Sequence, residues 1–264
     1  MSVVAAEVSK WALRNVSFEL PPGSVTALVG ANGSGKSTLL NVLAGHLPPY
    51  SGHCAVAGRV AYVPQHKPMY KGFKVADVLS FGRRMNRVWD HDRADEWLTR
   101  YKVPRGLQFG DLSGGQRTHV TLALALGSRP DVLVLDEPLA ELDPLARSRV
   151  MKELLTEVSD NGTTLVFSTH VVAEVGGVAD RLLLLSGGRL LIDGDTDELL
   201  EQHVLYTGPH ASKSPVEGRV VLAKHGVSQS SYLVRSGGAR IDEPWTARFV
   251  TLEELVVAHL ERAA

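Results

Sequence analysis

Lys36 and Ser37 close a glycine-rich run, Gly30-Ala31-Asn32-Gly33-Ser34-Gly35-Lys36-Ser37-Thr38, that follows the largely apolar segment 25 to 29. Leu39, Leu40, Val42 and Leu43 then recur at helical spacing. This is the pattern G-x-x-x-x-G-K-[ST] between a strand and a helix. Glycines let a backbone fold around an anion without a Cβ clash, so several N–H groups point inward. A helix opening near Lys36 adds the positive end of its dipole. Lys36 supplies a mobile charge for outer phosphates, and Ser37 offers a hydroxyl to Mg²⁺. The expected ligand of this stretch is a nucleotide.

Three further stretches carry groups suited to the same chemistry. The apolar run 131 to 135 ends in Asp136 and Glu137. A continuous apolar strand of this kind belongs in a parallel sheet, and its carboxyl end is where ligands bind. Asp136 is placed there to hold Mg²⁺ through its water shell. Glu137, expected to point the other way along the pleat, can act as base toward a water. His170 ends a second such strand, 164 to 169, at the same kind of position. Ser113-Gly114-Gly115-Gln116 opens a largely apolar helix, with Ser113 as its N-cap. Two glycines in a first turn cost about 1 kcal/mol each relative to Ala, which makes sense where bare N–H groups approach a second anion.

Two isolated residues leave alternatives open. Gln65 follows the short strand 59 to 63 and Pro64; its amide oxygen could reach a metal or a water, or it is a polar loop residue. Trp11 is a platform for an adenine ring or an edge aromatic of the core.

These groups need elements to hold them. Val16, Phe18 and Leu20 alternate with polar residues, so a β region runs over 12 to 29, broken by Pro21-Pro22-Gly23. The first helix ends at Ala44-Gly45. Residues 46 to 74, rich in Pro, Gly and His, give one strand. Residues 75 to 109 read as amphipathic helix, with Val75, Val78, Leu79, Trp97, Leu98 and Tyr101 as apolar points. Its run Arg83-Arg84-Met85-Asn86-Arg87 is a solvated face, or one that lies near anionic headgroups. Asp143-Pro144 starts a helix whose stripe is Val150, Met151, Leu154, Leu155 and Val158 and whose end is Asn161-Gly162. Ser186-Gly187-Gly188 turns a hairpin, and Thr196 opens a short helix. Beyond about 203 the texture changes: 207 to 218 reads as a connector, short strands fall at 219 to 222 and 231 to 235, and Thr251-Leu-Glu-Glu254 is a capping box.

Composition narrows the classes. The chain has 264 residues, a net charge of −1 and a 44% hydrophobic fraction. That supports one sizeable core with a small appendage, and gives no basic field for nucleic acid. No apolar run reaches about 18 residues, so no membrane span is expected. Residues 1 to 7 lack the pattern of a secretory signal. The single Cys54 fits a reducing compartment and reads as a small buried side chain.

The ordered set "GANGSGKST", Gln65, "LSGGQ", "VLVLDEP", "AELD" and His170 resembles the ATP-binding subunit of ABC transporters over roughly residues 12 to 202. The resemblance implies an α/β P-loop NTPase: a RecA-like core, an antiparallel β subdomain and an inserted helical subdomain at about 72 to 128. Residues 1 to 203 then form the ATPase domain, with 204 to 264 a small α+β appendage. It implies ATP and Mg²⁺ as ligands, with Lys36, Glu137 and His170 catalytic and Ser37, Gln65 and Asp136 at the metal. Gly30 to Thr38 and Trp11 would bind nucleotide in one chain, and Ser113 to Gln116 would close the site of a facing chain, which is an identical subunit or a second ABC ATPase. An integral membrane permease is the implied partner, and the implied location is the cytoplasmic face of the membrane. Phe167 to His170, Leu142 to Arg147 and His203 to Pro209 look most like bacterial export-type ATPases. A soluble ABC ATPase that remodels a protein or nucleic-acid assembly is the alternative. The strand that usually precedes Val16 in this family reads as shortened here.

Overall fold

The computed structural model describes residues 2–236 and 241–263. Its centre is a six-stranded sheet of order β5-β6-β7-β3-β8-β9. The strands are β3 (Val25–Val29), β5 (Val60–Val63), β6 (Val132–Leu135), β7 (Thr164–Thr169), β8 (Arg181–Ser186) and β9 (Arg189–Asp195). The first five in that row run parallel, and β9 pairs antiparallel with β8 through the Gly187-Gly188 turn. Strands β3, β6 and β7 are buried along their whole length, as the unbroken apolar runs require of a sheet covered on both faces.

Register fixes where the sheet does its work. Val63 lies opposite Leu135, Leu135 opposite Phe167, and Val29 opposite Thr169. The segments that leave β3, β5, β6 and β7 therefore begin along one edge: Gly30, Pro64-Gln65, Asp136-Glu137 and His170. Sheet order changes direction here, since β3 enters between β7 and β8. A crevice at such a switch point is the standard binding position of an open α/β sheet.

A second sheet, β2-β1-β4, is antiparallel and comprises β1 (Val3–Lys10), β2 (Leu13–Leu20) and β4 (Ser51–Val56). The predicted inward set Val16, Phe18 and Leu20 is buried. Strand β1 corrects the reading of a shortened start: it is eight residues long. It escaped the sequence because Glu7, at φ +53, shifts the register between Ala5 and Val8 and so breaks the alternation. Strand β4 also went unread. Most of its side chains are exposed and give no period-2 signal. Cys54 lies within it half-buried rather than fully covered, and burial pushes its thiol up.

The predicted helical stretch 75 to 109 is two helices, α2 (Val75–Met85) and α3 (His91–Arg100), followed by a 3₁₀ turn at Phe109–Asp111. Trp89, between the helices, separates them. It fills a slot made by two glycines: a Cβ on Gly82 or on Gly127 would stand 2.7 Å from its ring. Gly127 ends α4 (Gly114–Gly127), so Trp89 joins α2 to α4. The helix α1 (Lys36–Leu43) and helix α5 (Pro144–Asn161) have the ends expected of them. Gly45 at φ +74 follows α1; Asp143 caps α5, Pro144 is its first residue, and Gly162 ends it at φ +61.

After α6 (Thr196–Gln202) the predicted connector is in part strand. Strand β10 (His203–Pro209) lies inside a four-stranded antiparallel sheet, β11-β12-β10-β13, with β11 (Arg219–His225), β12 (Gln229–Arg235) and β13 (Thr246–Phe249). Thr251 and Glu254 form the predicted capping box of α7 (Leu252–Ala263). Val221, Leu233, Leu255 and Val256 pack into the same core cluster as the main sheet, so this sheet and helix are fastened to the rest. Among the described residues no helix is long and apolar enough to cross a membrane.

One buried and one half-buried histidine make this fold acid-sensitive. His119 stacks on Tyr101 at 3.8 Å, and burial lowers its pKa to about 4. Burial, with His203 and three nearby arginines, also lowers His259 to about 4. Between those values and the ordinary 6.5 the unfolded chain binds more protons, so stability rises with pH across that window and is lost as pH falls through it. The urea midpoint is expected to drop between about pH 7 and pH 5, and His119→Phe to flatten the slope. Equal slopes in the two proteins would contradict this.

Candidate active site

The phosphate loop is built for close backbone approach. A Cβ on Gly30 would stand 2.3 Å from the Leu185 carbonyl, so only glycine lets the start of the loop pass this near β8. Gly33 and Gly35 have φ of +78° and +108°, the left-handed region that favours glycine. The hairpin turn braces the loop from outside: Gly188 N–H donates to the Ser34 carbonyl at 3.0 Å, and Arg14 N–H to the Gly188 carbonyl at 2.8 Å. Helix α1 starts at Lys36 with no side-chain cap on its first amides, which leaves its N-terminus open to an anion.

Lys36 is only 6% exposed. Its ammonium donates to the Gly30 carbonyl at 2.7 Å and the Ala31 carbonyl at 3.3 Å, and stands 3.6 Å from Glu137 Oε1. The other Glu137 oxygen is 2.6 Å from His170 Nδ1. One carboxylate thus bridges the loop lysine and the histidine. Glu137 is 8% exposed, His170 half-exposed. A carboxylate buried to that degree requires such partners.

The expectation that Glu137 points away from Asp136 along the pleat needs correction. Strand β6 stops at Leu135, and Glu137 has φ +46. A left-handed turn, not strand alternation, aims its side chain at Lys36 and His170. Ser168 holds that turn: its hydroxyl donates to Asp136 Oδ1 at 2.6 Å and accepts the Glu137 N–H at 2.9 Å. Asp136 is buried as well. Tyr62 lies near enough for burial first, and the Asp136 charge second, to push its hydroxyl up to about 12. Ser168 was not singled out in the sequence, although it lies two residues before His170.

Gln65 is exposed just past β5, next to the Asp136 end of β6 by register. Ser37 is exposed on the first turn of α1. Trp11 is 64% exposed in the turn between β1 and β2. Its neighbours Ala12 and Leu13 lie against Gly35: a Cβ there would be 3.0 Å from Leu13 Cδ2 and 3.8 Å from Ala12 Cβ. The Lys10 ammonium lies over the indole, 5.2 Å from the ring centroid.

Ser113 to Gln116 are elsewhere. No hydrogen bond or ion pair among the described residues joins them to the phosphate loop. Ser113 and Gln116 form a reciprocal capping box, Gln116 N–H donating to Ser113 Oγ at 3.2 Å and Ser113 N–H to Gln116 Oε1 at 2.9 Å. The two glycines have a use within the chain: a Cβ on Gly114 would stand 2.8 Å from Glu141 Oε2, and one on Gly115 3.0 Å from Leu142 Cδ2.

Comparison with known proteins places the chain in a family. A family model described as ABC transporter matches residues 13–140. An ABC transporter ATP-binding protein of Methanocaldococcus jannaschii, itself uncharacterized, is 31% identical over 72% of this chain and 74% of its own length. A manganese transport system ATP-binding protein of Synechocystis is 36% identical, over 72% of this chain and 80% of its own. An aliphatic sulfonates import ATP-binding protein of Corynebacterium glutamicum is 37% identical, over 69% and 77%. Among solved structures, a dimeric bacterial ABC transporter cassette shares the fold with a TM-score of 0.67 at 22% identity, covering 73% of this chain and 98% of that one.

Proposed function

The chain belongs to the ATP-binding proteins of ABC transporters and is an ATPase, and from that premise we propose that it powers a membrane permease from a site shared between two cassettes. The observation that carries this is the convergence of Lys36, Asp136, Glu137 and His170 at one edge of the sheet.

In this reading the loop amides from Gly30 to Thr38 cradle the phosphates, and Lys36 leaves its loop carbonyls to meet them. Removal of the lysine charge from Glu137 frees that carboxylate to orient and polarise the attacking water. His170, fixed on the other Glu137 oxygen, contacts the terminal phosphate. Catalysis is then mostly positioning and charge stabilisation. The donor set beside the loop is hard oxygen: the Ser37 hydroxyl, the Gln65 amide and the buried Asp136 carboxylate. That chemistry fits Mg²⁺, with Ser37 and Gln65 as ligands and Asp136 acting on its waters. When bound, the ion neutralises charge on the phosphates. Trp11 stacks on the adenine. Trp11→Ala is expected to weaken ATP binding by about 5- to 150-fold, as loss of a base–aromatic stack of about 1–3 kcal/mol implies. Fluorescent-nucleotide titration reads this, and unchanged affinity would remove Trp11 from the site.

Ser113, Gly114, Gly115 and Gln116 close the site of the facing chain, in keeping with the lack, among the described residues, of any hydrogen bond or ion pair from them to their own phosphate loop. Each chain supplies one loop and one such tip, so the working unit is a pair, either of identical chains or with a second ABC ATPase. Residues 1 to 203 form the ATPase unit, with the helical subdomain at about 72 to 128 turned to the permease; 204 to 264 are a C-terminal addition. The pair lies on the cytoplasmic face of the membrane. Export is supported by the segments 142 to 147, 167 to 170 and 203 to 209. Import is the second reading, favoured by the printed roles of the manganese and sulfonate relatives.

The test is hydrolysis and transport in liposomes that contain this chain and the permease with which it copurifies. Permease-dependent stimulation of ATP hydrolysis is expected, and the side on which solute accumulates decides direction. Copurification with ribosomes or DNA, and none with an integral membrane protein, would instead support the soluble remodelling ATPase.

A further inference from the structure

A charge pair ties the segment that carries Gln65 to the loop that lies over the first turn of α4. After β5 the chain turns, with Lys67 N–H donating to the Pro64 carbonyl at 3.2 Å. Lys67 has φ +43, outside the ordinary range for a residue with a side chain. That conformation turns the lysine inward: its side chain is 4% exposed and stands 3.3 Å from Glu141 Oε2. A buried ammonium is tolerated only with a compensating charge. Among the described residues Glu141 is the carboxylate that provides it.

Glu141 is part of the loop 138 to 143, which begins directly after Glu137. The same Oε2 lies over the first turn of α4, where a Cβ on Gly114 would come within 2.8 Å of it. The loop is also held from its other edge. Arg147 donates to the carbonyls of Leu142 at 2.8 Å and Ala140 at 3.3 Å. It pairs with Glu174 at 2.9 Å, whose second oxygen accepts from Thr169 Oγ1 at 2.8 Å, one residue before His170. Lys67 is therefore the link that reaches the Gln65 segment, and Arg147 the link that reaches the histidine.

We propose that Lys67 and Glu141 are positioning residues that lock the Gln65 segment to the Ser113–Gly114 tip, so that a movement at one chain's metal site is passed to its neighbour's ATP. This rests on the reading that the tip completes the facing site. Gln65 contacts the ion of its own chain; Gly114 contacts the phosphate of the other. A rigid pair between them couples the two sites without itself touching nucleotide, and break of the pair uncouples them while each phosphate loop stays intact.

The test compares Lys67→Met, Glu141→Gln and the exchanged pair Lys67→Glu/Glu141→Lys in the full chain, with MgATP as the probe. Both single variants are expected to bind nucleotide within about twofold of the parent and to lose about tenfold in kcat. Their Hill coefficient for hydrolysis should fall toward one, and the exchanged pair should recover most of both losses. Singles with parental kcat and Hill coefficient would overturn the proposal, as would an exchanged pair no better than the singles. Glu141 is 44% exposed, so Glu141→Gln carries the test even where Lys67→Met fails to fold. Amide hydrogen exchange gives a readout independent of the shared site. Glu141→Gln should speed exchange at 64–67 and 114–116 together, and a rise at only one of them would refute the lock. A parent chain without ATP hydrolysis would count against the function proposed above, while the exchange result would still decide the pair.

Discussion

Glu137→Gln is expected to lower steady-state ATP hydrolysis about 10²- to 10⁴-fold, the usual contribution of a positioned base. Nucleotide affinity should stay within about threefold. The amide has the shape of the carboxylate and keeps an oxygen for Lys36 at the present 3.6 Å. The turn that places it is held by the backbone N–H on Ser168, which the substitution leaves alone. What is lost is the negative charge that orients and polarises water. Phosphate release measured beside a fluorescent-nucleotide titration separates the two effects. Near-parental turnover would take the base role away from Glu137.

Lys36→Met should show the opposite pattern, with binding lost first. Methionine fills a similar volume, so the loop is expected to keep its shape, and a thermal melt close to the parent's checks that. The ammonium now donates to two loop carbonyls, and in the working site to phosphate oxygens. Charged hydrogen bonds of this kind are worth about 1.5–3 kcal/mol each, so MgATP should bind about 10- to 150-fold more weakly. Titration calorimetry reads this. Parental affinity would mean that the loop amides alone hold the phosphates.

Much of the site was legible because it is local. The phosphate loop, the apolar strand ending in Asp136-Glu137 and the capped start of α4 each announce themselves within about ten residues. That β6 and β7 lie inside a parallel sheet followed from apolar runs too continuous for a half-exposed strand. The rest depends on partners remote in sequence. Nothing near Lys67 marks it as buried, because its counter-charge is Glu141. Nothing near Trp89 marks the slot between Gly82 and Gly127 that receives it. The aim of Glu137 was misread because it depends on a left-handed turn and on Ser168, a residue of another strand. Strand β1 was hidden by two register shifts, the first at Glu7, and β4 by its exposed side chains. In the C-terminal sheet, β10 was partly taken for a connector because Thr207, Gly208 and Pro209 have the composition of a loop.

The central claim is that two chains close over ATP. Light scattering of Glu137→Gln, at high concentration with and without saturating MgATP, tests it most directly. Twice the monomer mass with MgATP, and monomer both without it and with Ser113→Arg added to the variant, is the expected result. A strictly monomeric sample under MgATP, alone and mixed with any paired cassette subunit, would contradict it.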